Sequence, residues 1–497
     1  MSGTLRDGER KRGKRGVRAR PASAGPTATQ AEAIAKISPA RAAAFEILTL
    51  VGAGKGHSDE LLHSPRTEEL SLEDRNLATA LVMGVLRWQI ALDARLSKLL
   101  ARPDQRLAEP VALALRMGAF QLLHMDRIPA HAVLNESVEM CRAAGQPHAA
   151  GMVNAVLRKL AAGKQPSKNR DESKPSSQNR DESKPSFQNR DVGHPLHESL
   201  AAFAERLGHP QWLAERWAAA YGREAALAIC EYGQREPSSA GIFGDAGSDD
   251  VPQMDDGSRL VAEITAAAMP SVAGRATRVW DCCAAPGGKT LILARRLAGA
   301  EILATDASAK RLAQMAARLR RYAYAQCVRC AVVDASAAGE KLEIQHKTHL
   351  EDQREVERDA KFDLILCDVP CSGTGTLARN PEIRHQLRVE DMARQAERQC
   401  AILSGALHRL APGGRLVYST CSLEPEENER VVETVLPEAG VQRIPVGPLI
   451  AKLAKAGVLR QDVAAGLIDS AVCNGALRTL PGVYGCDGFF AVVLERA

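Results

Sequence analysis

The sequence predicts an α/β domain, a parallel sheet with helical crossovers, preceded by an all-helical domain. Three observations carry this. From residue 276 onward, short apolar runs alternate with helical patterns, as in strand–helix–strand units. Residues 38–162 instead repeat apolar side chains at helical spacing. Between the two lies a polar stretch built on a repeat of about ten residues, too short for a solenoid unit and without a core face. At 497 residues the chain should hold more than one domain, since ~100–200 residues per domain is usual.

Composition narrows the class. Hydrophobic residues make up 45% of the chain, enough for buried cores, and the net charge of +5 is small and uneven, so local basic patches inform more than the total. No apolar run long enough to span a membrane is expected, and the basic N-terminus has no apolar stretch of a secretory signal after it. The expected compartment is the cytoplasm. Twelve cysteines in such a chain do not suggest a disulfide framework. Cys327 and Cys330 form one C-x-x-C pair without a second pair or a matching His, so no metal site is expected.

Residues 1–37 read as a disordered basic tail, with Arg6, Arg10, Lys11, Arg12, Lys14, Arg15, Arg18 and Arg20 among Gly, Ser and Pro. Such a tail suits weak, salt-sensitive contact with nucleic acid, or has no role. Residues 38–162 read as a helical domain. Ser38 before Pro39 predicts a helix cap, and Ser71 with Asp74 predicts a capping box. Leu77, Leu81, Val85, Leu86 and Ile90 then recur at helical spacing, and further helices are expected at 110–124, 130–144 and 149–162. His124 and His131 read as structural. Residues 163–194 are a polar repeat linker. Residues 195–257 are a helical connector, with helices at 197–207, 210–221 and 223–232 and a loop over 236–257. Residues 258–497 form the α/β domain. A helix over 258–269 leads into strands at 277–281, 301–305, 330–334, 362–367, 414–419 and 488–494. A charged insertion at 336–361 and a helix at 390–410 interrupt them.

Candidate site residues gather at the strand ends. After the first strand comes Cys283-Ala284-Ala285-Pro286-Gly287-Gly288-Lys289. Its glycines allow close backbone approach to a ligand, and a helix N-terminus opens at about Lys289. Asp306 ends the next strand, roughly ~20 residues on, where a nucleotide fold places a carboxylate against ribose hydroxyls. A P-loop would need glycine where Cys283 stands, and no G-x-G-x-x-G is present. The fourth strand ends in Asp368-Val369-Pro370-Cys371-Ser372-Gly373-Thr374-Gly375, and the fifth in Thr420-Cys421-Ser422. Both cysteines therefore follow strand C-termini, where open α/β sheets bind ligands. Cys421 precedes a helix expected to start at Pro425. That helix's dipole would favour a thiolate, and its first-turn Glu426, Glu427 and Glu429 would oppose it.

These three segments, with Leu423-Glu424-Pro425-Glu426-Glu427-Asn428 and the ending Asp487-Gly488-Phe489-Phe490, resemble the motifs of RNA cytosine-5 methyltransferases. Residues 38–162 are similar to the NusB-like domain of their RsmB (Sun/Fmu) branch. The resemblance implies a class I, Rossmann-like methyltransferase domain, S-adenosylmethionine as cofactor and small-subunit (16S) ribosomal RNA as partner and substrate. It implies no membrane association; no protein partner is identifiable and a monomer is expected. By resemblance, Cys421 is the nucleophile and Cys371 assists product release. Residues 283–289 would wrap the methionine end of the cofactor, Asp306 its ribose and Asp334 its adenine side. Asp368 would lie near the reacting centre, and Asn380 to Arg384 near the RNA backbone. Capping of strand ends is the alternative reading of Asp306 and Asp334. One departure stands out: residues 236–257 are too short for the RNA-recognition-like subdomain usual in the family. The rival functions are methylation of transfer RNA, other RNA or DNA, and a non-catalytic RNA-binding role in ribosome assembly.

Overall fold

The computed structural model describes residues 28–104, 106–163, 198–239, 241–245, 251–337, 346–347 and 360–497. The repeat linker and most of the basic tail and charged insertion lie outside the described residues.

The N-terminal domain is helical as expected. Helices Pro39–Gly52, Leu72–Ser97, Glu109–His124, Ala130–Ala143 and Ala150–Ala162 enclose one core that includes Leu81, Val85, Leu115, Met117 and Leu157. Ser71 caps its helix, its hydroxyl accepting from the Asp74 amide at 3.1 Å. Ser38 does not cap its own helix. Its amide and hydroxyl donate to Glu136 at 2.8 and 2.7 Å, a carboxylate that also pairs with Arg41 at 2.9 Å. The long-range partner outcompetes the local one because Glu136 and Arg41 are already held together. One helix among the described residues, Leu72–Ser97, is long and apolar enough by length and composition to cross a membrane, contrary to the expectation of none. Its Leu81, Val82, Val85 and Leu86 are taken up by the domain core.

The connector helices Leu200–Arg206, Gln211–Tyr221 and Arg223–Tyr232 pack with Leu377, Met392 and Leu423 of the second domain. Helix Asp256–Ala267 begins two residues before the expected start because Asp255 accepts from the amides of Gly257 and Ser258.

The second domain is a ten-stranded sheet. Its strands are β1 (Arg278–Asp281), β2 (Glu301–Asp306), β3 (Val328–Val332), β4 (His346–Lys347), β5 (Phe362–Asp368), β6 (Leu410–Thr420), β7 (Val441–Ile444), β8 (Val472–Cys473), β9 (Ala476–Thr479) and β10 (Phe489–Arg496). The order is β4-β3-β2-β1-β5-β6-β10-β9-β8, with β7 also on β10. Strands β3, β2, β1, β5 and β6 are parallel, and β10 inserts antiparallel beside β6. Side chains alternate between two cores: Val279, Leu364 and Leu366 face helix Asp256–Ala267, whereas Trp280, Ile365 and Cys367 face helix Val389–His408. β3 starts two residues before the expected position, in register with Ile302 of β2. β6 extends back to Leu410 through an irregularity opposite Phe362. The short strands β4, β7, β8 and β9 and the helices Gly447–Lys455 and Gln461–Ser470 were not expected from the sequence pattern.

The two domains are joined through residues 378–386, and the buried Glu382 and Arg384 of the stretch expected near the RNA backbone serve that joint instead. Glu382 accepts from the Ser58 amide and hydroxyl at 3.0 and 2.9 Å. Arg384, 2% exposed, donates to the carbonyls of Arg87, Gly208, Gly233 and Leu377. His385 and Gln386 reach the carbonyls of Leu86 and Val51. Glu382 and Arg384, both buried, are not free to meet a phosphate.

Candidate active site

Four parallel strands end at one edge of the sheet, and each carries a functional group there. β1 ends in Asp281, β2 in Asp306, β5 in Asp368 and β6 in Thr420 before Cys421. Between them opens a cavity of 230 Å³ lined by Cys283, Ala285, Asp306, Asp334, Asp368, Cys371 and Cys421. Seven of the residues singled out in the sequence thus meet around one space. Ala284, Pro286, Gly287, Gly288 and Lys289 are not among its lining residues.

The glycine turn is set by backbone. The Ala284 amide donates to the Thr305 carbonyl at 2.8 Å, and the Gly287 amide to the Ala284 carbonyl at 2.7 Å. Gly287 has φ +93, in the left-handed region, and a Cβ there would lie 2.7 Å from Met315 Cγ. The helix opens at Gly288, one residue before the expected Lys289. Lys289 Nζ donates to Asp368 Oδ2 at 2.7 Å, and Ser419 Oγ donates to Asp368 Oδ1 at 2.7 Å. Burial works against the ammonium charge, but Asp368, then Cys421 and Asp281, outweigh it and raise the Lys289 pKa. Lys289 therefore carries a positive charge near the thiols, over the Phe489 ring at 5.1 Å.

Cys371 Sγ lies 3.3 Å from Cys421 Sγ, beyond disulfide length. The contact with Cys421, burial and the charge of Glu427 push the Cys371 thiol well above its usual pKa. Cys371 therefore favours its protonated form, and either sulfur can donate across the contact. The Cys283 thiol is likewise raised, by Cys282 and by burial.

The expected helix at Pro425 begins only at Glu429. The intervening turn folds inward, and Glu427 is fully buried. Its carboxylate accepts from the Ser372 amide and Gln399 Nε2, at 2.8 and 3.0 Å, and from the hydroxyls of Ser372 and Ser422. Asn428 accepts from Thr420 Oγ1 and donates to the Ser422 carbonyl. The Gly375 amide donates to the Cys421 carbonyl at 2.9 Å. Glu427 is thus a clamp between the two cysteine loops, not a first-turn residue opposing a dipole.

Asp306 Oδ1 accepts from the Ser308 amide at 2.9 Å, and Oδ2 lies 3.4 Å from Arg311 Nη1. Arg311 also donates to the Ala285 carbonyl at 2.6 Å, bridging the mouth of the cavity. Asp334 accepts from the Ser336 amide and hydroxyl, so it closes a turn as well as lining the cavity. Sequence reasoning missed Arg311, Arg398, Asp281 and the clamp role of Glu427. Asp281 is buried, with its pKa pushed up to about 7 by burial; Thr290 donates to its Oδ2 at 2.6 Å, and Oδ1 has no partner among the described residues. Its place as the last residue of β1, before the glycine turn, is the signal that could have found it.

Known proteins share this arrangement. The family described as 16S rRNA methyltransferase RsmB/F matches residues 273–495, and the NusB family matches residues 38–162. A ribosomal RNA small subunit methyltransferase B of Xanthomonas campestris pv. campestris is 31% identical over 441 residues, covering 85% of this chain and 89% of that protein. The chain belongs to the ribosomal RNA small subunit methyltransferase B family. A probable member of the same family from Bacillus subtilis is 28% identical over 507 residues, covering 93% of this chain and 99% of that one. The solved structure of PH0851 shares the fold, with a TM-score of 0.63 at 18% identity over 93% of this chain and 99% of that one. As in this family of methyltransferases, the cofactor is S-adenosylmethionine.

Proposed function

We propose that the protein methylates carbon-5 of a cytosine in small-subunit (16S) ribosomal RNA through a covalent bond from Cys421. The observation that carries this reading is the pair of thiols, 3.3 Å apart, beside the Lys289–Asp368 pair at the cavity edge. The carbon-5 position of cytosine is a weak nucleophile. Attack of the Cys421 sulfur on carbon-6 forms a C–S bond and moves the C5–C6 π electrons to carbon-5. S-adenosylmethionine, when bound, supplies an electrophilic methyl on a sulfonium. Carbon-5 bonds to that methyl as the methyl–sulfur bond breaks and leaves a neutral thioether; the carbon-5 proton then passes to water, and the C5–H electron pair restores the C5–C6 double bond and expels the Cys421 thiolate. Cys371, holding its proton against Cys421, assists that release.

The residues present fit the cofactor. The glycine turn offers backbone where a side chain at Gly287 would clash, and Asp306 and Asp334 both line the cavity, where they would hold the ribose hydroxyls and the adenine side. Arg311 must yield Asp306 to the ribose. Asp368, fixed by Lys289 and Ser419, lines the same cavity as the thiols and would orient the reacting groups. The target base must leave its stack to reach Cys421. The cytoplasm is the matching compartment.

The test is methyl transfer from labelled S-adenosylmethionine to unmodified small-subunit ribosomal RNA by wild type, Cys421→Ala and Cys371→Ala. Label in 5-methylcytosine, silence of Cys421→Ala and a covalent RNA adduct accumulating on Cys371→Ala support the proposal. Full activity of Cys421→Ala overturns it.

A further inference from the structure

A second cavity, of 1110 Å³, lies between the helical domain and the catalytic domain, away from the thiols. We propose that it is an RNA subsite that holds an unpaired base of the substrate stacked against Trp88. The inference rests on the chain acting on ribosomal RNA and not on which atom receives the methyl.

The wall from the helical domain is aromatic. His124 stacks on Trp88 with centroids 4.5 Å apart and planes at 25°, and on Phe120 at 5.3 Å and 22°. Phe120 lies directly on Gly84, where any Cβ would collide with its ring, so the ladder sits tight against the helix bearing Trp88. His124 is exposed and Trp88 half-buried, so the ladder is not closed into the core. Rings set in a cleft with one partly open end suit base stacking, which is tolerant of base identity and strong for unpaired nucleotides.

The polar lining fits a base better than a phosphate. Asp59 and Glu236 share the cleft with Asn76, Asn380 and Gln234. Carboxylates repel phosphate but accept from the amino and imino groups of bases, and amides match either edge. Gln234 Oε1 and Arg87 Nε, both on cleft-lining residues, have no partner among the described residues, and Arg87 is only 8% exposed.

The cleft is also tied to the reacting centre. Arg379 and Asn380 line it, and they end the same loop that begins at Cys371. Even fully extended, that loop spans at most ~30 Å. One RNA segment can therefore lie across both places.

The experiment uses the full chain and unmodified small-subunit ribosomal RNA, reading the RNA Kd without cofactor and the RNA KM and kcat in methyl transfer. Trp88→Ala should raise Kd and KM about tenfold to a hundredfold, the loss of one stacked base, with kcat at saturating RNA and cofactor affinity within about twofold. Trp88→Phe should restore most of the affinity. Exposed His124→Ala, which leaves the core intact, should weaken RNA binding about threefold to tenfold and keeps the test decisive if Trp88→Ala fails to fold. RNA carrying 4-thiouridine should crosslink to the peptides holding Trp88 or His124. Unchanged RNA affinity in His124→Ala together with crosslinks that avoid both peptides overturns the proposal and turns attention to a peptide as occupant. If wild type places its methyl on an atom other than carbon-5, the proposed chemistry fails while these affinity ratios still judge the cleft.

Discussion

The two walls of the reaction cavity are held together differently. On the thiol wall, residues 368–375 and 419–428, buried side chains tie loop to loop: Glu427 accepts from Ser372, Ser422 and Gln399, and Asn428 binds Thr420 and Ser422. On the cofactor wall, the glycine turn is held by backbone hydrogen bonds, and Asp306 by one amide and one arginine at 3.4 Å. The difference fits what the proposed reaction would ask of each wall. A sulfur that forms a bond to carbon must be placed to within about half an ångström, which requires its supports to be locked. A wall that takes up and releases a ligand each turnover needs partners that exchange.

Breaking the thiol wall should have the largest effect. Glu427→Ala leaves the Ser372 amide without its acceptor and takes one acceptor each from Gln399 and the Ser372 and Ser422 hydroxyls, at a cost of about 3 kcal/mol in stability and at least about a hundredfold in kcat. Denaturant titration and rate measurements read both, and cofactor affinity should stay within about threefold. Equal loss of cofactor affinity would show that the walls are not independent.

Beneath both walls lies Asp281, whose folded-state pKa of about 7 stands above the usual carboxyl value of 3.8. Between these values the folded chain holds a proton that the unfolded chain has released. Stability should therefore fall as pH rises from about 4 to about 7, by as much as ~4 kcal/mol from this group. Asp281→Asn should flatten that slope in denaturation curves taken at several pH values.

Gly375→Ala tests the thiol wall by sterics. A Cβ there meets the carbonyls of Cys421 and Gly488, both backbone and unable to swing aside. A loss of about 2–3 kcal/mol and a kcat drop of about tenfold or more are expected, read by melting and methyl transfer. On the cofactor wall, Asp306→Asn should weaken S-adenosylmethionine binding by about thirtyfold, ~2 kcal/mol, in calorimetry, with the thiol loops and global stability little changed. Arg311→Ala should have the smallest effect, about threefold in cofactor affinity, because its pair with Asp306 is half-exposed and must open for the ribose.

The motifs legible in the sequence are those whose residues are local. The strand ends, the glycine turn and the two cysteines each announce themselves within a dozen residues, and the sheet carries them to one edge as expected. What the sequence hid depends on partners far along the chain. Ser38 looked like a cap, but its acceptor is Glu136. Glu427 looked like one of a row of helix-start acids, but it turns inward to reach Ser372. Arg384 looked like an RNA contact, but its acceptors are carbonyls from both domains. Strands β8 and β9 are too short to show an alternating pattern, and only their pairing with each other and of β9 with β10 defines them. His124 read as structural; it does pack on Phe120, yet it also completes the face of an interdomain cleft.

Arg384 has a consequence for how a target is chosen. Its guanidinium sits where helical domain, connector and cysteine loop meet, and swinging the domains apart would break its bond to the Arg87 carbonyl and flood a buried joint. The two halves therefore act like the jaws of a caliper locked at one setting. On the proposed reading, a nucleotide gripped by the helical jaw would stand at a fixed interval from Cys421, and the interval would belong to the protein rather than to the RNA. Selection of one target among many would then become a measurement of length along a folded strand, which a chain with loosely hinged domains could not make.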